Sequence, residues 1–204
     1  MLVNFQFERG MSLIELMVGV TIVAVLFALG APSFNNWIQS AQIRTAAEAF
    51  QNGLTLARGE AVRRNSNVRF SLTDTADNSC NVAATGTNWV ISQDDPTGAC
   101  ATPADEIVAP RIIQLRAGAE GSKNAQVVAG QSSIIFNGLG RVTPLPPAGA
   151  DANGEIQINI NNDLIGGPCA AAGGPMRCLR VVVSPGGQVR MCDPMFARPD
   201  PQGC

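Results

Sequence analysis

From Met11 to Ala31 the chain is apolar at almost every position, with Glu15 its one charge. A run with no polar face predicts a helix surrounded by apolar material on every side. At 1.5 Å rise per residue it spans about 31 Å, one hydrocarbon thickness. Beyond it the helical pattern continues in another form. Ile43, Ala47, Phe50, Leu54, Ala57 and Ala61 recur at steps of three and four, on a helix that otherwise carries Gln42, Arg44, Glu48, Gln51, Arg58 and Arg63. Such a stripe packs by one face. One helix from about Ser12 to Arg64 is therefore predicted, with Pro32 between its halves as a kink or bend.

After Asn65 the period drops to two. Val68, Phe70 and Leu72 alternate with polar neighbours, as do Ile156, Ile158 and Ile160, and Leu179, Val181 and Val183. Shorter apolar runs lie at 88–92, 106–113, 125–129 and 132–136, punctuated by Gly, Pro, Asn and Asp. These are strand signals with turn residues between them. The stretches 73–87, 93–105 and 143–154 read as loops, and 178–192 as a hairpin turning at Ser184-Pro185-Gly186-Gly187. The predicted fold class is α+β: a long N-terminal helix, then an antiparallel β-rich domain over 65–204.

Composition narrows the chemistry. The net charge is −2, so no global field draws polyanions. There is no His and no Tyr. That removes the commonest general base, the commonest metal ligand and any Ser-His-Asp triad, and predicts a protein that is not an enzyme and holds no cofactor or metal. Asp151, Asn153 and Glu155 alternate as oxygen donors do in a Ca²⁺ loop, but the rest of such a loop is missing, and a polar turn is expected. Six cysteines, Cys80, Cys100, Cys169, Cys178, Cys192 and Cys204, all follow the apolar run. An even count there predicts disulfides in an oxidising compartment, with buried thiols as the competing reading. Of the 15 pairings that six allow, we prefer Cys80–Cys100 and Cys192–Cys204, which leaves Cys169–Cys178.

The apolar run has three readings. Ala28-Leu29-Gly30 offers small residues for a secretory cut, but a cut there would sever a helix whose pattern runs on to Arg64. A plain single-span anchor leaves Glu15 unexplained, at a cost of a few kcal/mol near mid-bilayer. The third rests on "RGMSLIEL" together with the apolar run and Pro32, which resemble the type IV pilin signal. The usual first mature residue is Phe; here it is Met11. The resemblance implies a leader over residues 1–10, cut by a prepilin peptidase between Gly10 and Met11, and methylation of the new amine on Met11. It implies that 11–64 is the assembly helix, with 11–31 transmembrane. Arg9 before the run and Arg44 after it orient the N-terminus to the cytoplasm. The expected location is the bacterial inner membrane, single pass, with the C-terminal domain periplasmic, and then a pilus or pseudopilus. Glu15 would be neutralised in the fibre by a neighbouring subunit's N-terminus. Gly19, Ala24, Ala28 and Gly30 would allow close helix approach.

Further markers are Phe50 to Leu72, "NWVI", "IIFNGLGRVT" (134–143) and "VVVSPGGQVRMCDP" (181–194). With these the chain is similar to the GspH/FimT/FimU group of minor pilins and pseudopilins. The resemblance implies a subunit at or near a filament tip, partnered by other major and minor pilins, in pilus initiation or alternatively in a type II secretion pseudopilus. FimT-like members that bind DNA for uptake carry Gly-Arg-x-Arg in the hairpin. The matching residues here are Gly187, Gln188, Val189 and Arg190, so Gln188 replaces the first Arg and one phosphate contact is lost. Arg177, Arg180 and Arg198 lie nearby and would complete a patch for DNA as partner. A solvated hairpin with scattered arginines is the competing reading.

Overall fold

The structure is a computed structural model that describes residues 11–144, 147, 149–162 and 167–204, without the side chains of 29–33. The leader through Gly10 therefore lies outside the described residues, and of Gly30 and Pro32 only the backbone is described.

Helix α1 runs unbroken over Leu13–Arg64. Ser12 caps its start, its Oγ accepting the Glu15 N–H at 3.2 Å. At the other end Asn65 turns left-handed (φ 48°) and donates its N–H to Ala61 and Val62, a conformation that asparagine tolerates. Arg63 and Arg64 sit in the last turn, where cations favour the helix dipole. Eight strands follow: β1 (Val68–Thr73), β2 (Asn88–Ser92), β3 (Ile112–Arg116), β4 (Gln126–Ala129), β5 (Ser133–Phe136), β6 (Ile156–Asn161), β7 (Leu179–Val183) and β8 (Val189–Cys192). They form two antiparallel sheets, ordered β3-β2-β1-β5 and β4-β6-β7-β8.

Alternation explains the second sheet. Ile156, Ile158 and Ile160 stand opposite Val183, Val181 and Leu179, so one face is apolar throughout. The predicted stripe of α1 is buried against the sheets: Ile43, Ala47, Phe50, Leu54, Ala57 and Ala61 belong to one core with Val68, Phe70, Leu72 and Ile158. Phe50 meets Phe70 edge-on, with centroids 5.8 Å apart, and Phe70 lies 5.2 Å from Trp89. Gly53 makes this possible, since a Cβ there would sit 2.8 Å from Phe70 and 2.9 Å from Trp89. The outer face of the first sheet carries a smaller cluster of Cys80, Val90, Cys100 and Ile112. Strand β1 is thus covered on both sides and loses the clean alternation of β6.

One apolar run is not the strand it resembles. Within 106–113, Ile107 and Val108 are exposed and lie in a turn. Asp105 Oδ1 accepts both of their N–H groups, at 2.6 and 2.8 Å, which closes the backbone locally and keeps it out of the ladder. Arg111 follows with φ 53°. The strand starts only at Ile112 and extends to Arg116.

Candidate assembly surface

Two features stand apart from the core: the bare first half of α1, and the arginine cluster around β7, β8 and the C-terminal tail. In the first, the side chains from Met11 to Ala28 are exposed on every side, with Leu13 at 80% and Phe27 at 75%. Each such side chain gains about 1.5–3 kcal/mol from full burial, so this half of the helix demands an apolar surrounding. Its polar groups do not oppose that. Thr21 Oγ1 donates back to the carbonyls of Val18 and Met17, at 2.8 and 3.0 Å. Glu15 is the exception: it is exposed, and among the described residues its carboxylate has no cationic partner. Gly19, one turn on, has nothing within 4 Å of where a Cβ would stand. Among the described residues no helix is both long and apolar enough to cross a membrane; the side chains at the end of the apolar run, 29–33, are not among them. Where the bare half meets the domain, Phe34 and Trp37 stack at 5.9 Å, and both are exposed.

The hairpin of β7 and β8 closes with Ser184 N–H donating to Gln188 O at 2.9 Å. Gly187 has φ 80°, and a Cβ there would stand 1.9 Å from Gly140 O, so both conformation and space require glycine. Three disulfides hold the loops: Cys80–Cys100, Cys169–Cys178 and Cys192–Cys204, with Cα separations of 6.2, 5.4 and 5.2 Å in the ordinary range. The last of them returns the tail to the end of β8, where Asp193 N–H donates to Gln202 O at 2.7 Å.

The named arginines are drawn into this closure. Arg177 donates to Asp193 (2.6 Å) and Gln202 (2.8 Å). Arg198 donates to Glu155 at 2.6 Å, and Arg190 lies 3.8 Å from the same carboxylate while donating to Gly203 O at 3.2 Å. Arg180 donates to Asn159 at 2.7 Å. It points away from the core, as alternation requires, yet it is half-buried, and burial pulls its pKa below the ordinary arginine value. Arg190 and Arg198 are thus brought together on Glu155, and Arg177 is held apart on Asp193. Gln188 is exposed at the turn. Asp151 organises the adjoining turn. Its Oδ1 accepts the N–H groups of Glu155 and Asn153, both at 2.9 Å, and Gln157 donates to Oδ2 at 2.8 Å. These hydrogen bonds, Glu155 N–H first, hold its pKa below the usual carboxylate range. Sequence reading did not identify Glu155 and Asp193 as anchors, nor Trp37 as an exposed aromatic; only the last had a local signal, an aromatic pair directly after the apolar run.

Residues 6–31 match the prokaryotic N-terminal methylation motif, and residues 46–187 match the family described as type II transport protein GspH. No curated protein matches the chain. Among solved structures it is similar to the type IV minor pilin FimU of Pseudomonas aeruginosa in two crystal forms. In space group P21 the identity is 16% and the TM-score 0.47, over 73% of this chain and 87% of that one. In space group P65 they are 15% and 0.46, over 72% and 90%. With more than half of its length matched by that one family and the methylation motif before it, this chain belongs to the GspH family of pilin-like proteins.

Proposed function

We propose that the protein is a minor pilin-type subunit that initiates or caps a type IV pilus, polymerising without catalysis through the first half of α1. The observation that carries this reading is a helix whose second half is locked into the core while its first half is bare, apolar and marked by one carboxylate that has no cationic partner among the described residues. The division of labour is a leader to Gly10, an assembly helix over 11–64 and a β-rich domain beyond it. A prepilin peptidase cuts after Gly10 and the Met11 amine is methylated. Before assembly, residues 11–31 hold the chain in the inner membrane with the disulfide-bonded domain outside the cytoplasm. In the filament the N-terminal ammonium of an adjoining major or minor pilin neutralises Glu15; left unpaired, that charge would be costly among apolar side chains. Pro32 sets the angle between the two halves. A GspH-type role in a type II secretion pseudopilus uses the same surfaces, and the family matched over 46–187 supports it equally.

The deciding experiment is Glu15→Ala in the full-length chain, scored as its amount in sheared filaments relative to its amount in membranes. We expect at least a tenfold fall with the membrane pool intact; unchanged incorporation rejects the reading.

DNA binding at the hairpin is a finer proposal. Its support is that Arg180 and Arg190 share the outer face of β7 and β8, in a register that sets Arg180 against Cys192 and Val182 against Arg190. Against a strong phosphate site, Glu155 and Asp193 already engage three of the four named arginines. DNA retention by the detergent-solubilised chain, with Arg190→Ala and Gln188→Arg alongside, tests it. Retention that falls in the first variant and rises in the second supports a receptor; no retention by any version excludes one.

A further inference from the structure

The apolar run of α1 ends at Ala31, and the domain's core begins at Ile43. Between them the chain carries no charge, but it carries two aromatic side chains. Among the described residues beyond Ala31, Phe34 and Trp37 are the aromatic residues left more than half exposed, at 60% and 66%. Phe50, Phe70, Trp89 and Phe136 are buried, and Phe196 is 37% exposed. Helix α1 is unbroken here, so Phe34 and Trp37 stand about 4.5 and 9 Å beyond Ala31 along the axis. Side chains lean toward the N-terminus of their helix. The indole therefore reaches back toward the apolar run, and it stacks on Phe34 with centroids 5.9 Å apart.

We infer that Phe34 and Trp37 form an interfacial anchor, seated among the phospholipid headgroups of the leaflet that faces the domain. The inference rests on the proposed reading of 11–31 as a membrane span and adds the depth at which the helix stands before assembly. Two observations select the headgroup layer as occupant. The first is height. That layer is about 5–7 Å thick on each side of a bilayer, and a ring pair rooted about 4.5 and 9 Å above the hydrocarbon, leaning back toward it, lies within the layer. The second is chemistry. An indole has an apolar body and a polar N–H, a combination that favours the boundary over either water or hydrocarbon. The flanking Asn35 and Asn36 are exposed and uncharged, so seating the pair strips no charge of its water. The next residues along the helix carry the consequence to the domain. Gln39 Oε1 accepts the Nδ2 groups of Asn162 and of Asn124, the latter at 3.4 Å, and Gln42 Oε1 accepts the Asn124 N–H at 3.1 Å. Asn124 precedes β4 and Asn162 follows β6, so two strand ends are tied to α1 directly above the rings. With no free linker between them, whatever holds the ring pair also sets the height of the domain's near rim over the membrane.

Fluorescence tests this, because the chain has two tryptophans and the other, Trp89, is buried in the core. The full-length chain is reconstituted into phosphatidylethanolamine–phosphatidylglycerol vesicles containing phospholipid brominated either near the headgroup end or near the methyl end of its acyl chains. In chains that float with the vesicles, headgroup-end bromines should quench the emission at least twice as strongly as methyl-end bromines. Trp37→Phe, which leaves the buried Trp89 alone, should remove most of that quenching. In the Trp37→Phe background, Ala41→Trp sets an indole at an exposed position one turn farther out, about 6 Å along the axis, and quenching there should be at least twofold weaker than at Trp37. Four results in floated chains each overturn the anchor while the span stands: no quenching, stronger quenching by methyl-end bromines, quenching that survives Trp37→Phe, or equal quenching at positions 37 and 41. A chain that does not float with vesicles overturns the span itself, and the anchor with it.

Discussion

At the scale of single residues, two glycines in one helix show how packing decides the sign of a substitution. Gly53 faces Phe70 and Trp89, and an added Cβ would lie under 3.0 Å from both rings, which are buried and cannot swing away. Gly53→Ala gains about 1 kcal/mol of helix propensity but loses about 1–3 kcal/mol to overpacking. We expect a net loss, read as a lower denaturant midpoint. Gly59 has nothing within 4 Å and is exposed. There only the propensity gain remains, so Gly59→Ala should add about 1 kcal/mol of stability and raise the same midpoint. A reversed order would mean that the helix does not pack on β1 and β2 as described. The arginines teach the complementary lesson. Their positions in the chain were plain, but their partners were not. Glu155 and Asp193 reach Arg198 and Arg177 only because a disulfide and a turn fold separate segments together.

At the scale of elements, what was legible followed from local periodicity. The apolar stripe from Ile43 to Ala61 and the alternation of Ile156 to Ile160 each have one core-facing side, and both appear in the fold as read. The pairing of eight strands into two sheets was not legible, because it joins β5 to β1 and β4 to β6 across long stretches of chain. The run 106–113 misled for a definite reason. Ile107 and Val108 carry the apolar content of a strand, while one carboxylate, Asp105, captures their amides for a turn. The C-terminal tail is the element most dependent on covalent closure, having no regular strand or helix of its own after β8. Cys192→Ser with Cys204→Ser should cost about 2–3 kcal/mol in the chain-entropy picture. The variant should also admit protease cleavage within 193–204 while α1 and both sheets stay protected. Unchanged resistance of the tail would show that Arg177 and Arg190 hold it unaided.

At the scale of the whole molecule, the fold divides α1 into a half that the domain buries and a half that it leaves bare. A free-standing protein gains nothing from a bare apolar half-helix; a subunit held first by lipid and then by its neighbours does. On the proposed assembly reading, the carboxylate near the start of that half has a purpose that neither a plain anchor nor a secretory signal gives it. On that reading each subunit offers its newly exposed N-terminal amine to a neighbour's carboxylate, so the proposed cut between Gly10 and Met11 is the step on which the account turns. Mass spectrometry of the intact chain recovered from sheared filaments tests it most directly. The account predicts a mass for a chain that begins at N-methylated Met11 and carries three disulfides. A filament-borne chain that begins at Met1 or at Ala31 would contradict it.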